Sequence, residues 1–126
     1  MWLFLDDERK PGDVTWIADS RYNQFSWDIV RSYDAFVAYI EERGVPEFIS
    51  FDHDLADEHY RALMSGQDHE EHKLPEKTGY TCAKWLVEYC IDKGQKFPEF
   101  HVHSMNPIGG DNIKGVVASA RKAAGI

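Results

Sequence analysis

The chain has 126 residues, of which 43% are hydrophobic and 13% aromatic, and this predicts one domain with one packed core. Its net charge of −8 would repel a long polyanion and argues against extended RNA or DNA as a partner. A small phosphate ester bound through a metal stays compatible with that charge. No membrane span or charged-then-apolar leader is recognisable, so we expect a cytoplasmic protein without a membrane partner.

The first half of the chain predicts three short strands and one helix. Residues 2–5 form an unbroken apolar run, which is typical of a strand buried on both faces. Residues 6–26 show little periodicity and predict a long irregular connection in which a first helix is short or absent. A second strand is predicted at 27–31, a serine-capped helix that stops at a glycine at 33–43, and a third strand at 48–52.

The second half predicts two helices and one more strand. Residues 55–77 form a polar insertion, and loops of this length are uncommon without a function. Thr78 can cap a helix with an apolar stripe that ends at Gly94. A fourth strand is predicted at 100–103. After a glycine-containing turn, Asp111 can cap the last helix.

Strands that alternate with helices predict right-handed crossovers and an α/β fold. We expect a three-layer sandwich with a mainly parallel, four-stranded sheet in the order 2-1-3-4 and helices on both faces. The first and third strands would then lie side by side, and the chain has no segment for a fifth strand. The carboxyl ends of these strands would form one edge, where α/β proteins usually bind their ligands.

Two acidic clusters follow buried strands and would meet at this edge. Asp6 and Asp7 come directly after the first strand, and Asp52 and Asp54 lie at the end of the third. Such a concentration of carboxylates is tolerable only with a cation or shared protons. Carboxylate oxygens suit Mg²⁺ or Mn²⁺, so we predict a divalent metal site. The alternative is that these acids only cap turns.

Histidine and serine side chains supply candidates for proton transfer. His53 lies between two acids, which favour a protonated imidazolium that could donate a proton or bind phosphate. Its alternative role is to orient an aspartate. His103 and Ser104 follow the fourth strand and reach the same edge. His101 faces the same side as His103, but we expect it to be a packing or surface residue.

The segment 106–112 predicts a phosphate-binding turn before the last helix. Free backbone N–H groups at a helix start can cradle a phosphate, and a plain turn explains the same residues equally well. Arg9 could add a guanidinium for the non-bridging oxygens. The candidate phosphate-binding residues are Arg9, Asn106, Gly109, Gly110 and Asn112.

Four segments together resemble the cyclic-phosphate-processing receiver-like domains of bacteria and phages. They are an L-F-L-D-D-x-R-x-P start at 3–11, an F-D-H-D-L centre at 51–55, a T-G-x-x-x-A-x-W-L helix start at 78–86 and an H-S-x-N-P-x-G-x-x-N-I segment at 103–113. The four segments occur in order and cover nearly the whole chain.

The resemblance implies a flavodoxin-like fold related to the receivers of response regulators. In that comparison Asp6 and Asp7 match the metal-holding acidic pair, Asp52 matches the phosphoacceptor, and Ser104 matches the hydroxyl residue after the fourth strand. True receivers carry an essential lysine on a fifth strand, which this sequence does not show. Phosphorylation-driven signalling is therefore not the expected activity.

Together with this resemblance, these residues favour a metal-dependent phosphoesterase, and the resemblance implies a cyclic phosphate of a nucleotide or an RNA end as its substrate. Asp6, Asp7 and Asp52 would hold the metal with support from Asp54, and His103 or His53 would act as general acid or base. A non-enzymatic domain that binds a metal or a cyclic nucleotide as a sensor, sponge or interaction module would use the same residues. An aspartyl-phosphate receiver is the third possibility.

Overall fold

The computed structural model describes residues 1–54, 78–105 and 107–126. Among them, four strands form one parallel sheet, in the order β2-β1-β3-β4. The strands are β1 (Trp2–Leu5), β2 (Trp27–Val30), β3 (Phe48–Phe51) and β4 (Glu99–Val102). The predicted strand order is confirmed. The predicted insertion at 55–77 and the candidate residue Asn106 lie outside the described residues.

Two of the three described α-helices begin and end where their capping residues predict. Helix α1 (Tyr33–Arg43) begins after Ser32, whose hydroxyl accepts a hydrogen bond from a backbone N–H of the first turn. Helix α2 (Gly79–Lys93) begins after Thr78, which caps in the same way. It ends at Gly94, where a left-handed backbone closes the last turn.

Helix α3 (Pro107–Ala124) begins five residues earlier than the sequence predicts. The prediction that Asp111 caps this helix is wrong, because Asp111 lies in the second turn and is exposed. Pro107 is well suited to a first helical position, since it needs no N–H partner there. The glycines suggested a turn because glycine weakens a helix, but the backbone of Gly109 lies against the His53 ring, where a Cβ atom would overlap it.

One face of the sheet packs against all three α-helices. Leu3 and Leu5 of β1 and Ile49 and Phe51 of β3 are buried in one apolar cluster with residues of each helix. The helical members include Phe36, Ile40, Cys82, Leu86, Cys90, Ile113 and Val117. Both cysteines are buried in this cluster as thiols, with no disulfide between them. None of the described helices is long and apolar enough to cross a membrane.

The other face is covered by the 6–26 segment, which contains two 3-10 helices, Pro11–Asp13 and Ser20–Asn23. Tyr22 and Val14 of this segment pack on Phe4, Trp27 and Phe48 in a second buried cluster. Among the described residues, α-helices therefore cover one face and 3-10 turns cover the other. This agrees with the expectation that the first helix is short or absent, and it refines the prediction of helices on both faces.

Gly79 fixes α2 to the end of β3 and predicts a sharp contrast between two glycine substitutions. Its N–H donates to the His53 carbonyl at 2.7 Å, and an added Cβ would overlap the Asp52 carbonyl. We expect Gly79→Ala to lower the free energy of unfolding by roughly 3 kcal/mol, since backbone atoms must move. The measurement is urea unfolding.

Gly115 provides the matched control, because it lies inside α3 with open space around it. Gly115→Ala should raise the free energy of unfolding by about 1 kcal/mol through helix propensity. Equal effects of the two substitutions would contradict the packing described for Gly79.

Candidate active site at the carboxyl ends of the strands

Three residues that follow neighbouring strands are held in place by the sheet itself. The backbone N–H groups of Asp6, Asp52 and His103 each donate to a carbonyl of the adjacent strand, at 3.2, 2.9 and 2.9 Å. Their side chains are all buried, and one candidate ligand atom from each lies within 4.8 Å of the others. Of the residues predicted to share this edge, the structure therefore brings together Asp6, Asp52 and His103.

Asp6 is a buried carboxylate with hydrogen bonds to both oxygens. Oδ1 accepts from the backbone N–H groups of Glu8 and Arg9, each at 2.9 Å. Oδ2 accepts from His103 Nε2 at 2.9 Å and from the Arg9 guanidinium at 3.4 Å. Burial alone would raise the pKa of Asp6, but the hydrogen bonds from His103, Arg9 and Glu8 outweigh it and lower that pKa. Asp6 is therefore ionised at neutral pH.

Asp52 has the opposite electrostatic character. Among the described residues its side chain receives one hydrogen bond, from the backbone N–H of His53 at 2.9 Å, and the residue is only 4% exposed. Burial, together with the negative charge of Asp6, raises the pKa of Asp52 to about 7. The repulsion between these two buried carboxyl groups is therefore reduced when Asp52 keeps a proton. A divalent cation could take the place of that proton.

His103 is fully buried, and both of its ring nitrogens are bonded to protein atoms. Nε2 contacts Asp6, and Nδ1 lies 2.6 Å from the Ser50 hydroxyl. The ring stacks on Phe4 with a centroid distance of 4.5 Å. Burial lowers the pKa of His103 despite the neighbouring carboxylate of Asp6. The His103 side chain is therefore enclosed by protein atoms, which suits a residue that orients Asp6.

His53 lies nearer to solvent than the buried group. Its side chain is 15% exposed, and Nδ1 is 2.9 Å from Asp54, which is 61% exposed. Gly109 of α3 packs against the ring. Asp54 therefore contacts His53 and is not among the three side chains that converge. Asp7 and Ser104 are both half-buried and adjoin the converging residues in sequence.

The Arg9 guanidinium reaches the buried Asp6 carboxylate. It lies 5.4 Å from the centre of the Trp16 ring and approaches the Met105 sulfur at 3.9 Å. The side chain is partly exposed, so it can also meet a ligand at the surface. Trp16 donates from Nε1 to the His103 carbonyl at 3.1 Å and remains 42% exposed.

The predicted phosphate-binding turn is helical in the structure. Gly109 and Gly110 are buried in the first turns of α3, and Asn112 is exposed one turn later. The prediction of a loop over these positions is wrong, because Pro107 starts the helix before them. The N-terminal turn of α3 packs against His53, which follows Asp52 in the chain. The backbone dipole at a helix N-terminus favours an anion.

Residues 1–119 match the family model described as the cyclic-phosphate processing receiver domain. The chain belongs to this family. The parallel sheet in the order 2-1-3-4 and its helices are consistent with a receiver-like α/β fold. Comparison with curated proteins and with solved structures finds no match.

Sequence reasoning missed three residues of this cyclic-phosphate processing receiver domain that contact the site. Ser50 lies fully buried in β3 and bonds His103 on one side and the Tyr22 hydroxyl, at 2.6 Å, on the other. Trp16 covers the His103 carbonyl. Ser50 could have been recognised from the sequence, because a hydroxyl inside an apolar buried strand requires a hydrogen-bond partner. For Tyr22 and Trp16 the sequence carried no such signal, since both belong to the irregular 6–26 segment.

Because burial raises the pKa of Asp52, the ionised form of this side chain lowers the free energy of unfolding of the receiver domain. An acid whose pKa rises from 3.8 to about 7 on folding favours the folded state below pH 4. That stability is lost as the pH rises through 7. We therefore expect Asp52→Asn to raise the free energy of unfolding at pH 8 by on the order of 2 kcal/mol, and the gain should vanish near pH 4.

The measurement is denaturant unfolding in EDTA across this pH range. Asp111→Asn, at an exposed position of α3, controls for the change in net charge and should leave the free energy of unfolding nearly unchanged. If Asp52→Asn lowered the free energy of unfolding at pH 8, it would contradict the assignment of a raised pKa to Asp52.

Proposed function

We propose that this domain hydrolyses a cyclic phosphate on a nucleotide or an RNA end, with a divalent metal ion at the ends of β1 and β3. The observation that carries the proposal is the buried pair of Asp6, which is ionised, and Asp52, whose pKa is about 7. Perturbed, adjacent carboxyl groups at a strand edge favour a functional site. Membership of a family described by cyclic-phosphate processing supports the substrate class.

The donor atoms suit Mg²⁺ or Mn²⁺. Asp6 and Asp52 present oxygen atoms within the 4.8 Å group, and both lie where a positive charge would offset their repulsion. Asp6, Asp7 and Asp52 would hold the ion, and Asp54 would support the site through His53. When bound, such an ion supplies Lewis-acid polarisation of the phosphoryl oxygens.

Binding and orientation of the phosphate fall to groups around the acids. The Arg9 guanidinium is partly exposed beside Asp6 and can donate to the non-bridging oxygens. The Ser104 hydroxyl and the N-terminal turn of α3, with Gly109 and Gly110, would hold the phosphate from the other side. Asn106 and Asn112 are further candidates for this contact.

Proton transfer is better suited to His53 than to His103. His53 is partly exposed, and its Nδ1 is bonded to Asp54, which orients the ring; we assign Nε2 as the atom that would meet a substrate. In ring opening, a water oxygen bonds to phosphorus and releases a proton to the solvent, the bond to one ribose oxygen breaks, and that oxygen takes a proton. We assign the delivery of this proton to His53, while the buried His103 holds Asp6 in place.

A substrate panel tests the proposed activity. We expect the Mn²⁺-loaded protein to open at least one member of a panel of 2′,3′-cyclic nucleotides, cyclic-phosphate-ended RNA and cyclic dinucleotides. Mass spectrometry would detect the product as the addition of one water. Asp52→Asn should lower turnover by roughly 100-fold or more through loss of a ligand, while Asp111→Asn should keep it.

The pattern of results separates an enzyme from a binding domain. Ligand binding by calorimetry without any product in the panel would reject hydrolysis and assign the site to recognition alone. Undiminished turnover in Asp52→Asn would reject this location for the activity.

Replacing His53 tests its assignment as the proton donor. His53→Gln should lower kcat by about 10²–10⁴-fold, the usual contribution of general acid–base catalysis, with KM little changed. His101→Gln is the matched control, because His101 contacts Asp19 at 3.0 Å on the face away from the helices and lies outside the converging group. Equal activity of the two variants would remove His53 from the mechanism.

A further inference from the structure

A chain of buried polar side chains links the 6–26 segment to Asp6. The Tyr22 hydroxyl lies 2.6 Å from Ser50 Oγ, Ser50 Oγ lies 2.6 Å from His103 Nδ1, and His103 Nε2 lies 2.9 Å from Asp6 Oδ2. Tyr22 is 1% exposed and the other three residues are fully buried. Each contact is therefore shielded from solvent, where a missing hydrogen bond is costly.

The direction of every hydrogen bond in this chain follows from its two ends. Asp6 Oδ1 accepts from two backbone N–H groups and Oδ2 accepts from the Arg9 guanidinium, so His103 Nε2 donates to Asp6 and carries a proton. At the other end, Ser50 is the hydrogen-bond partner of the buried Tyr22 hydroxyl among the described residues. Tyr22 therefore donates to Ser50, and Ser50 in turn donates to Nδ1. Only this direction gives every hydrogen in the chain an acceptor.

Packing keeps the members of the chain in line. The His103 ring lies nearly parallel to Phe4, with an interplanar angle of 7°, and the Tyr22 ring stacks on Trp27 at 5.5 Å. Ser50 is held in β3, paired with Phe4 of β1 and His101 of β4. These contacts fix the ring planes and therefore the directions of the donor and acceptor atoms.

We propose that Tyr22 and Ser50 are positioning residues that hold His103 with its proton on Nε2 and so orient the Asp6 carboxylate for cation binding. The part that concerns a cation rests on the proposed function. Groups that orient the atoms holding a metal through a histidine commonly change its affinity 10–100-fold when they are removed. Tyr22 thus connects the 6–26 segment, which covers one face of the sheet, to the site at the carboxyl ends of the strands.

Two variants and one control test this proposal. Ser50→Ala removes the donor to Nδ1, and Tyr22→Phe removes only the hydroxyl that orients Ser50. Tyr39→Phe is the matched control, because the Tyr39 hydroxyl makes a similar 2.7 Å hydrogen bond to Asp28, remote from the site. Ring ¹⁵N spectra of the metal-free proteins report which nitrogen of His103 carries the proton.

In the parent protein these spectra should show His103 protonated at Nε2 and not at Nδ1. Ser50→Ala and Tyr22→Phe should change the ring spectrum and raise the Kd for Mn²⁺, by roughly 100-fold and 10-fold respectively. Tyr39→Phe should change neither measurement. If Ser50→Ala does not fold, Tyr22→Phe alone provides the comparison with Tyr39→Phe.

The outcomes separate this proposal from the proposed function. A His103 ring protonated at Nδ1 in the parent protein, or a Tyr22→Phe protein that matches Tyr39→Phe in both measurements, would overturn the positioning role. If the parent protein does not bind Mn²⁺, the metal-dependent function fails, and the ring spectra of Tyr22→Phe and Ser50→Ala alone decide whether these residues position His103.

Discussion

Burying Asp6 and Asp52 side by side at two strand ends costs free energy that the surrounding structure must offset. Hydrogen bonds from two backbone N–H groups, His103 and Arg9 stabilise Asp6 as an anion. The same anion helps to raise the pKa of Asp52 to about 7. The domain thus holds one charged and one proton-binding carboxyl group, each with an oxygen atom within 4.8 Å of the other's.

The two faces of the sheet make different contributions to this site. The face covered by the three helices is an apolar cluster, which supplies hydrophobic stability and brings Gly79 and Gly109 against the Asp52 carbonyl and the His53 ring. The face covered by the 6–26 segment carries the polar chain from Tyr22 to His103. A conventional helix over that second face is absent from the described residues, and its place is taken by 3-10 turns whose side chains reach into the sheet.

Much of the fold could be predicted from local patterns. The apolar runs predicted all four strands to within one residue at each end, and Ser32 and Thr78 predicted the starts of α1 and α2, because strand burial and helix capping depend on neighbouring residues. The start of α3 was predicted wrongly for the same reason. Gly109 and Gly110 resemble a turn locally, whereas the close approach of the His53 ring is a contact between residues distant in sequence.

By itself, the sequence determined the parallel sheet, its strand order and the meeting of Asp6 with Asp52, since hydrophobic runs decide where strands end and crossover handedness restricts how the strands are ordered. Only the tertiary structure decided how these acids differ, because a pKa depends on burial and on the groups that surround the carboxyl. It likewise separated His103 from His53, which the sequence left as equal candidates for proton transfer. Burial, hydrogen-bond direction and ring stacking are properties of side chains brought together from distant segments, and local sequence patterns do not specify them.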